Sequence, residues 1–127
     1  MLNRRELGAR GEASAVQYLV THGYQILHRN FRCTAGEIDV VAKLEANAGP
    51  TVVFVEVKLR IGELHGTAAS AVDKRKQRRI IASALHYLGQ YPPSTEEPGI
   101  RFDVIEILPD NQDSFTLVHH VGAFTAD

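Results

Sequence analysis

The segment TVVFVEVKLR, residues 51–60, constrains the fold more than any other part of the sequence. Side chains alternate between the two faces of a β-strand. Here Val52 and Phe54 on one face and Val53 and Val55 on the other are all apolar. A strand that is apolar on both faces must be covered on both sides, which is typical of a central strand in an α/β protein. The segment therefore predicts a mixed central sheet with helices packed against it.

The rest of the chain predicts elements in the order α-β-β-β-α-β-β within one domain, residues 1–127, a length that suits a single core. Asn3 and Glu6 suit a helix start, and the turn signal NAGP predicts an antiparallel hairpin. Residues 61–70 contain two glycines without periodicity and are read as a mobile loop. We expect helices over 3–22 and 72–91, and strands over 24–31, 36–43, 51–60, 100–108 and 115–121.

Charged residues stand where a buried face is predicted, in four different elements. Glu56 and Lys58 end the central strand on the face of Phe54, and regular alternation places Asp39 and Glu37 on one face of the neighbouring strand. The predicted apolar stripe of the first helix, interrupted by Glu12, is Ala9, Ala13, Val16, Leu19 and Val20. The stripe of the second helix starts with two polar residues and reads Lys74, Gln77, Ile81, Ala84 and Leu88.

Converging carboxylates need a compensating cation, because an unpaired buried charge is costly. Mg²⁺ prefers oxygen ligands and keeps several waters, so two carboxylates and a backbone carbonyl are enough to bind it. A lysine beside such a metal stabilises developing negative charge. Asp39, Glu56 and Lys58 are therefore a rational site for phosphodiester hydrolysis. The alternative is that Glu56 and Lys58 form the solvent-facing end of a strand, where an ion pair contributes little.

The basic residues are unevenly distributed, although the formal net charge is only −1. The run KRKQRR, residues 74–79, carries five cations at the start of the second helix, where the helix dipole disfavours positive charge. A solvated helix face is one interpretation, and contact with nucleic-acid phosphates is the other. Lys74, Arg75, Arg78 and Arg79, with Arg60 after the central strand, are the predicted phosphate contacts.

The remaining composition favours a cytoplasmic protein without a membrane anchor. No apolar run approaches the roughly 20 residues of a membrane span, and the N-terminal residues lack a secretory signal pattern. Cys33 is the only cysteine, so neither an intrachain disulfide nor a multi-cysteine zinc site is expected, and we expect no disulfide-linked partner. His119 and His120 are neighbours on a predicted strand and face opposite ways, which argues against a shared metal.

At these residues the sequence resembles the PD-(D/E)xK nuclease superfamily in its Holliday-junction-resolvase-like branch, and more closely the YraN-like family of small bacterial endonuclease-like proteins. The matching stretches are GARGEASAVQYLVTHGY, ILHRNFRCTAGEIDVVA, VVFVEVKLR, AVDKRKQRRIIASALHYL and RFDVI. Ile38 stands where the superfamily motif often has proline.

The resemblance implies a restriction-endonuclease-like core and specific site residues. Asp39 and Glu56 would bind Mg²⁺ or Mn²⁺, Lys58 would be the catalytic lysine, Glu12 a further metal or water contact and Gln77 a site-lining residue. The expected function is metal-dependent endonuclease action on DNA, with branched or otherwise structured DNA as the expected substrate. A two-strand cutter of this length needs a second copy, so a homodimer is expected.

Two other functions stay open, because a fold does not fix an activity. The first is a non-catalytic nucleic-acid-binding or complex-assembly module on a nuclease fold. It predicts DNA or partner binding that survives Lys58→Ala and needs no metal. The second is a purely structural interaction protein, which predicts affinity for neither metal nor DNA.

Overall fold

The computed structural model describes residues 3–46, 48–61, 72–94, 97–110 and 114–126. The elements are α1 (Arg4–Thr21), β1 (Gln25–Cys33), β2 (Gly36–Ala46), β3 (Gly49–Leu59), α2 (Lys74–Gln90), β4 (Gly99–Pro109) and β5 (Phe115–Phe124). The α/β class and the order α-β-β-β-α-β-β are confirmed. The predicted loop 61–70 falls, apart from Ile61, outside the described residues.

The five strands form one mixed sheet in the order β1-β2-β3-β4-β5. Only β3 and β4 are parallel, and the chain between them includes α2. The other neighbours are antiparallel, including the β2–β3 hairpin predicted from NAGP. β3 lies in the middle of the sheet, which confirms the interpretation of its apolar faces.

The two helices cover opposite faces of the sheet, as the two clusters of buried residues show. The cluster under α1 contains Ala15, Leu19, Val40, Val53, Val55, Ile105 and Ile107. The cluster under α2 contains Phe31, Ile38, Val41, Val52, Phe54, Val72, Ile80, Ala84, Tyr87, Phe102 and Val104. Val52 and Phe54 thus face α2, whereas Val53 and Val55 face α1.

The predicted buried stripe of α1 is confirmed only in part. Gly11, Ala15 and Leu19 are buried, whereas Ala13 is exposed and Val20 is 51% exposed. Small residues line the inner face because α1 lies close to the sheet. A Cβ atom at Gly11 would overlap Cδ1 of Ile107 and lie 3.2 Å from its Cγ1. Leu19 of the predicted stripe is buried and Val16 packs against the same cluster, whereas Gly11 and Ala15 take the place of the larger residues expected on this face.

α2 begins where its cap fixes it. The Asp73 side chain accepts a hydrogen bond from the Lys76 backbone N–H at 2.8 Å, which satisfies one of the free amides of the first turn. The acidic cap also offsets part of the unfavourable charge of the basic run. The buried residues are Gln77, Ile80, Ser83, Ala84 and Tyr87. Lys74, which we expected on this stripe, is exposed.

Asn30 on β1 and Asp39 on β2 lie between the pairs Arg29↔Val40 and Phe31↔Ile38, whereas the register shift between these strands lies between Ile26 and His28. Asn30 has a left-handed backbone conformation, with φ of 53°, which is uncommon within a strand. Ile38 and Val41 both pack in the cluster under α2, which regular alternation would not allow. The predicted alternation of β2 is therefore broken at Asp39.

Candidate active site

Asp39 and Glu56 lie side by side where β2 and β3 separate. The last paired residues of this hairpin are Val40 and Val55, so the next position on each strand is a carboxylate. Asp39 Oδ2 accepts a hydrogen bond from the Val57 backbone N–H at 2.8 Å, and its carboxyl group also hydrogen-bonds with that of Glu56. The ends of β2 and β3 thus bring together Asp39 and Glu56, the two carboxylates that were predicted from the sequence to form one site.

The two carboxylates are in electrostatic conflict. Burial, the charge of Glu56 and a hydrogen bond with Glu56 raise the pKa of Asp39 from 3.8 to about 7, while the Val57 N–H opposes that rise. Glu56 itself is only 9% exposed. A cation placed between these oxygens would relieve the repulsion, so the pair is suited to hold one.

The carboxylates open into a cleft of about 590 Å³ between the starts of the two helices. Lys58 lies in this cleft and is exposed. Among the described residues, no carboxylate lies within ion-pair distance of its ammonium group. The lining residues are Arg4, Arg5, Glu37, Asp39, Glu56, Val57, Lys58, Leu59 and Lys76.

Glu12 lies beside this pair on the α1 side. Burial and the negative charge of Asp39 raise the pKa of Glu12, while Asn30 and Arg29 stabilise the ionised form. Glu12 Oε1 is 3.7 Å from an Arg29 guanidinium nitrogen. The charge of Asp39 therefore affects the pKa of Glu12, but the Glu12 carboxylate already interacts with Asn30 and Arg29.

Three other predicted residues lie away from the cleft. Gln77 is buried and its side-chain amide donates to the Val72 carbonyl at 3.0 Å. Lys74 lies near Gln77 and the end of β5 rather than near the carboxylates. The Arg60 side chain, predicted to contact phosphates, is only 11% exposed and its Nε donates to Glu106 Oε2 at 2.7 Å.

The basic start of α2 borders the cleft. Arg75, Lys76 and Arg79 surround a shallow depression with Asp73, and Lys76 also lines the cleft itself. Arg78 is exposed on the same helix. Of the predicted phosphate contacts, Arg75 and Arg79 thus share this depression with Lys76, the residue that also lines the cleft.

Sequence reasoning missed four residues near the carboxylates, namely Arg4, Arg5, Asn30 and Lys76. The signal for Lys76 was present, because Lys76, Ile80, Ser83 and Tyr87 share one helical stripe and the last three are buried. Arg4 and Arg5 precede the apolar part of α1, and nothing in their spacing placed them in the cleft. The conformation of Asn30 depends on the pairing of β1 with β2.

A second set of buried charges lies on β4, away from the cleft. Asp103 accepts hydrogen bonds from Arg101 and the Gly122 N–H and contacts His119 Nε2 at 2.7 Å, while Glu106 contacts Arg60 and His120 Nε2. Burial alone would raise the pKa of either carboxyl, but these hydrogen bonds lower both pKa values. The histidine pair thus binds two separate carboxylates, and these groups join β5 and the chain after β3 to β4.

The donor set of the cleft fits a divalent metal that keeps part of its water shell. Within the described ranges, no three His, Cys, Asp or Glu side chains lie close enough to hold a metal by themselves. Two carboxylates nevertheless supply the oxygen chemistry that Mg²⁺ and Mn²⁺ prefer, and water or substrate oxygens complete such shells. Asp39 and Glu56 would hold the ion, with Glu12 at the edge of the site.

No helix in the described part of the chain is long and apolar enough to cross a membrane. Cys33, the single cysteine of the sequence, is a free thiol.

Comparison with known proteins identifies the family. The chain is 46% identical over 111 residues to a UPF0102 protein of Geobacter metallireducens, covering 87% of this chain and 86% of that protein. It is 40% identical over 124 residues to a UPF0102 protein of Moorella thermoacetica, covering 97% and 98%. Among solved structures, Pyrococcus furiosus SfsA in complex with Ca²⁺ is similar at a TM-score of 0.42 and 10% identity, over 90% of this chain and 64% of that one.

A family model, the uncharacterised protein family UPF0102, matches residues 11–107. The resemblance to the YraN-like family is thereby confirmed. From this match and these relatives, the chain belongs to the UPF0102 family.

Proposed function

We propose that the protein is a metal-dependent endonuclease that hydrolyses phosphodiester bonds in DNA, with branched or otherwise structured DNA as the preferred substrate. The observation that carries the proposal is the contact between the Asp39 and Glu56 carboxyl groups in a cleft that also contains Lys58. Paired carboxylates with a neighbouring lysine supply what phosphodiester hydrolysis requires, a metal-binding centre and a cation for the phosphate.

Each residue has a role that follows from its place. A bound Mg²⁺ or Mn²⁺ would activate water and neutralise charge on the phosphate. Asp39 is held in position by the Val57 N–H, which donates to its Oδ2. Lys58 is exposed in the cleft, and its ammonium group would donate hydrogen bonds to a non-bridging phosphate oxygen. Arg4 and Arg5 on one side and Lys76, Arg75 and Arg79 on the other would contact flanking phosphates.

Location and assembly form part of the same proposal. A cytoplasmic protein would have access to chromosomal DNA and to Mg²⁺. Cleavage of both strands of a junction requires two such centres, so we propose that a homodimer performs it.

The direct test is cleavage of labelled linear, nicked, flapped and four-way-junction DNA with Mg²⁺ or Mn²⁺. Wild type should cleave at least one structure, Asp39→Asn should be inactive, and Lys58→Met should be slower by about 100-fold or more. Lys43→Met is a matched control, since Lys43 lies towards the other end of β2 and pairs with Glu45. Equal cleavage by wild type and Asp39→Asn would assign the activity to a contaminant.

A non-catalytic DNA-binding or assembly module is the second candidate. It is favoured by the fact that two of the acids already have basic partners, Glu12 near Arg29 and Glu56 near Lys76. This function predicts DNA binding that is equally tight in EDTA and survives Lys58→Ala. DNA affinity that requires a divalent metal would count against it.

A further inference from the structure

Among the described residues, Lys76 is the cation that lies within ion-pair distance of the paired carboxylates. Its Nζ lies 3.3 Å from Glu56 Oε2, and its side chain is 44% exposed whereas that of Glu56 is 10% exposed. The hydrogen bond from its backbone N–H to Asp73 fixes the start of the helix, so the side chain leaves α2 at a defined place. The ammonium group thus lies between solvent and a buried carboxylate.

The charges around Glu56 explain why a cation is held there. Asp39 and Glu56 repel one another, and Lys58 lines the same cleft without an ion pair among the described residues. Lys76 therefore neutralises Glu56 in the absence of any other cation. A divalent ion bound to the same carboxylate would repel the ammonium group, because two cations would then compete for one anion.

A second candidate binding site for an anion lies beside Lys76. Lys76 borders the shallow depression formed with Arg75, Arg79 and Asp73, which faces solvent beside the cleft. Three basic side chains around one depression form an attractive place for a phosphate. A flexible lysine side chain can exchange one anion for another without movement of the helix.

We infer that Lys76 alternates between two partners: it pairs with Glu56 when the cleft holds no divalent cation, and it contacts a DNA backbone phosphate once a metal is bound to Glu56. This inference rests on the proposed function and adds a residue to it. Lys76 is a positioning residue. It neutralises the charge of Glu56 when no metal is bound, and it makes the affinity for DNA depend on whether a metal is bound.

The inference predicts opposite effects of one substitution on two ligands. Lys76→Met removes the competitor for Glu56, so Mn²⁺ should bind about three- to five-fold more tightly in calorimetric titrations, as expected for a half-exposed ion pair. With Ca²⁺ present to support binding without cleavage, the same variant should bind DNA more weakly, and its salt dependence should fall by about one phosphate contact. In EDTA the salt dependence should stay unchanged.

Matched variants separate this role from a general effect of charge. Lys74→Met removes the same charge from the same turn of α2, but Lys74 lies outside the cleft, so Mn²⁺ affinity should not change. Lys76→Arg should restore the salt dependence with DNA. Far-ultraviolet circular dichroism checks that each variant is folded.

The outcomes distinguish this inference from the proposed function. Mn²⁺ binding to wild type that is unchanged or weakened by Lys76→Met would overturn the inference and leave the metal centre standing. A salt dependence with DNA and Ca²⁺ that Lys76→Met leaves unchanged would overturn the phosphate half. Absence of Mn²⁺ binding to wild type, both free and with DNA, would overturn the metal centre and the inference together.

Discussion

Asp39 is the residue at which the fold and the proposed chemistry conflict most. Its side chain replaces a main-chain partner by accepting the Val57 N–H, and it contacts a second carboxyl group that is nearly buried. An ordinary protein core would place an apolar side chain here. The position therefore loses stability at neutral pH in exchange for a carboxyl group that lines the cleft.

Asp39→Asn is expected to stabilise the protein at alkaline pH. The folded-state pKa is raised from 3.8 to about 7, so the folded protein keeps a proton that the unfolded chain releases. Wild-type stability should therefore fall as pH rises from about 4 to about 7, and the loss should be complete above that window. Asparagine carries no charge and still accepts the Val57 N–H. We expect a gain on the order of 2 kcal/mol at about pH 8, which vanishes near about pH 4.

Urea unfolding across this range of pH measures the effect. Glu37→Gln is the control, because Glu37 lines the same cleft, is half-exposed and pairs with Arg32 at 3.3 Å. Its removal should change stability little at any pH. If Asp39→Asn were less stable than wild type at alkaline pH, the carboxylates would not be in conflict.

α1 packs closely against the sheet, and this close packing brings its polar residue Glu12 near the sheet surface. Gly11 and Ala15 leave room for Ile107, and Glu12, next to Gly11, reaches the neighbourhood of Asp39. A larger residue at either small position would move the helix away from the sheet. The packing of α1 therefore determines how far Glu12 lies from the carboxylate pair.

Gly11→Ala is expected to destabilise the protein by about 1–2 kcal/mol, because overpacking against Ile107 exceeds the gain of about 1 kcal/mol in helix propensity. Gly8→Ala in the same helix is the control, since a Cβ there meets nothing within 4 Å, and it should be neutral or stabilising. Ile107→Val removes the overlapping Cδ1 atom and should recover part of the loss in the double variant. Thermal or urea unfolding gives all the values, and additivity of the two substitutions would contradict this packing.

The elements themselves could be predicted from the sequence, because each strand has an alternating or continuous apolar pattern and each helix has a cap. Asn3 accepts a hydrogen bond from the Glu6 N–H and Asp73 from the Lys76 N–H, which fixes both helix starts. The inner face of α1 could be predicted only in part, because two of its buried residues, Gly11 and Ala15, are too small to give an apolar signal. The irregularity at Asn30 was also hidden, since it arises only when two strands pair.

The site was partly predictable for a similar reason. Glu56 and Asp39 stand on adjacent strands of a hairpin, so local pairing alone brings them together. Arg60 was misjudged because its partner, Glu106, lies on β4, and the sequence gives no sign of that distant contact. The helical period places Lys76 on the same stripe as the buried residues Ile80, Ser83 and Tyr87. Because its exposed neighbours in the sequence are also basic, its charge did not distinguish it from them.

Across the whole molecule, a nearly neutral protein places six of its fourteen lysine and arginine residues around the cleft and the depression beside it. Arg4 and Arg5 from α1, Lys58 from β3 and Lys76 from α2 surround the carboxylates, and Arg75 and Arg79 extend this surface. A local cluster of positive charges creates a positive electrostatic potential even where the net charge of the whole protein is close to zero. A polyanion should therefore bind at this end of the sheet.

Arg75→Ala is expected to weaken DNA binding and to lower the salt dependence of the affinity by about one phosphate contact. Lys43→Ala removes a cation near the opposite end of β2 and should leave both quantities unchanged. Fluorescence anisotropy with labelled DNA over a series of salt concentrations measures them. Equal losses for the two variants would mean that total charge, rather than this surface, determines binding.

The topology also dictates the order in which the charges meet during folding. β2 and β3 form a local hairpin, which brings Asp39 to Glu56 at low entropic cost, whereas α2 arrives only with the crossover to β4. The repulsion between Asp39 and Glu56 therefore arises during folding before Lys76 is in place to reduce it. In kinetic terms, Asp39→Asn should accelerate refolding, while Lys76→Met should chiefly accelerate unfolding, a difference that the two arms of a denaturant chevron would show.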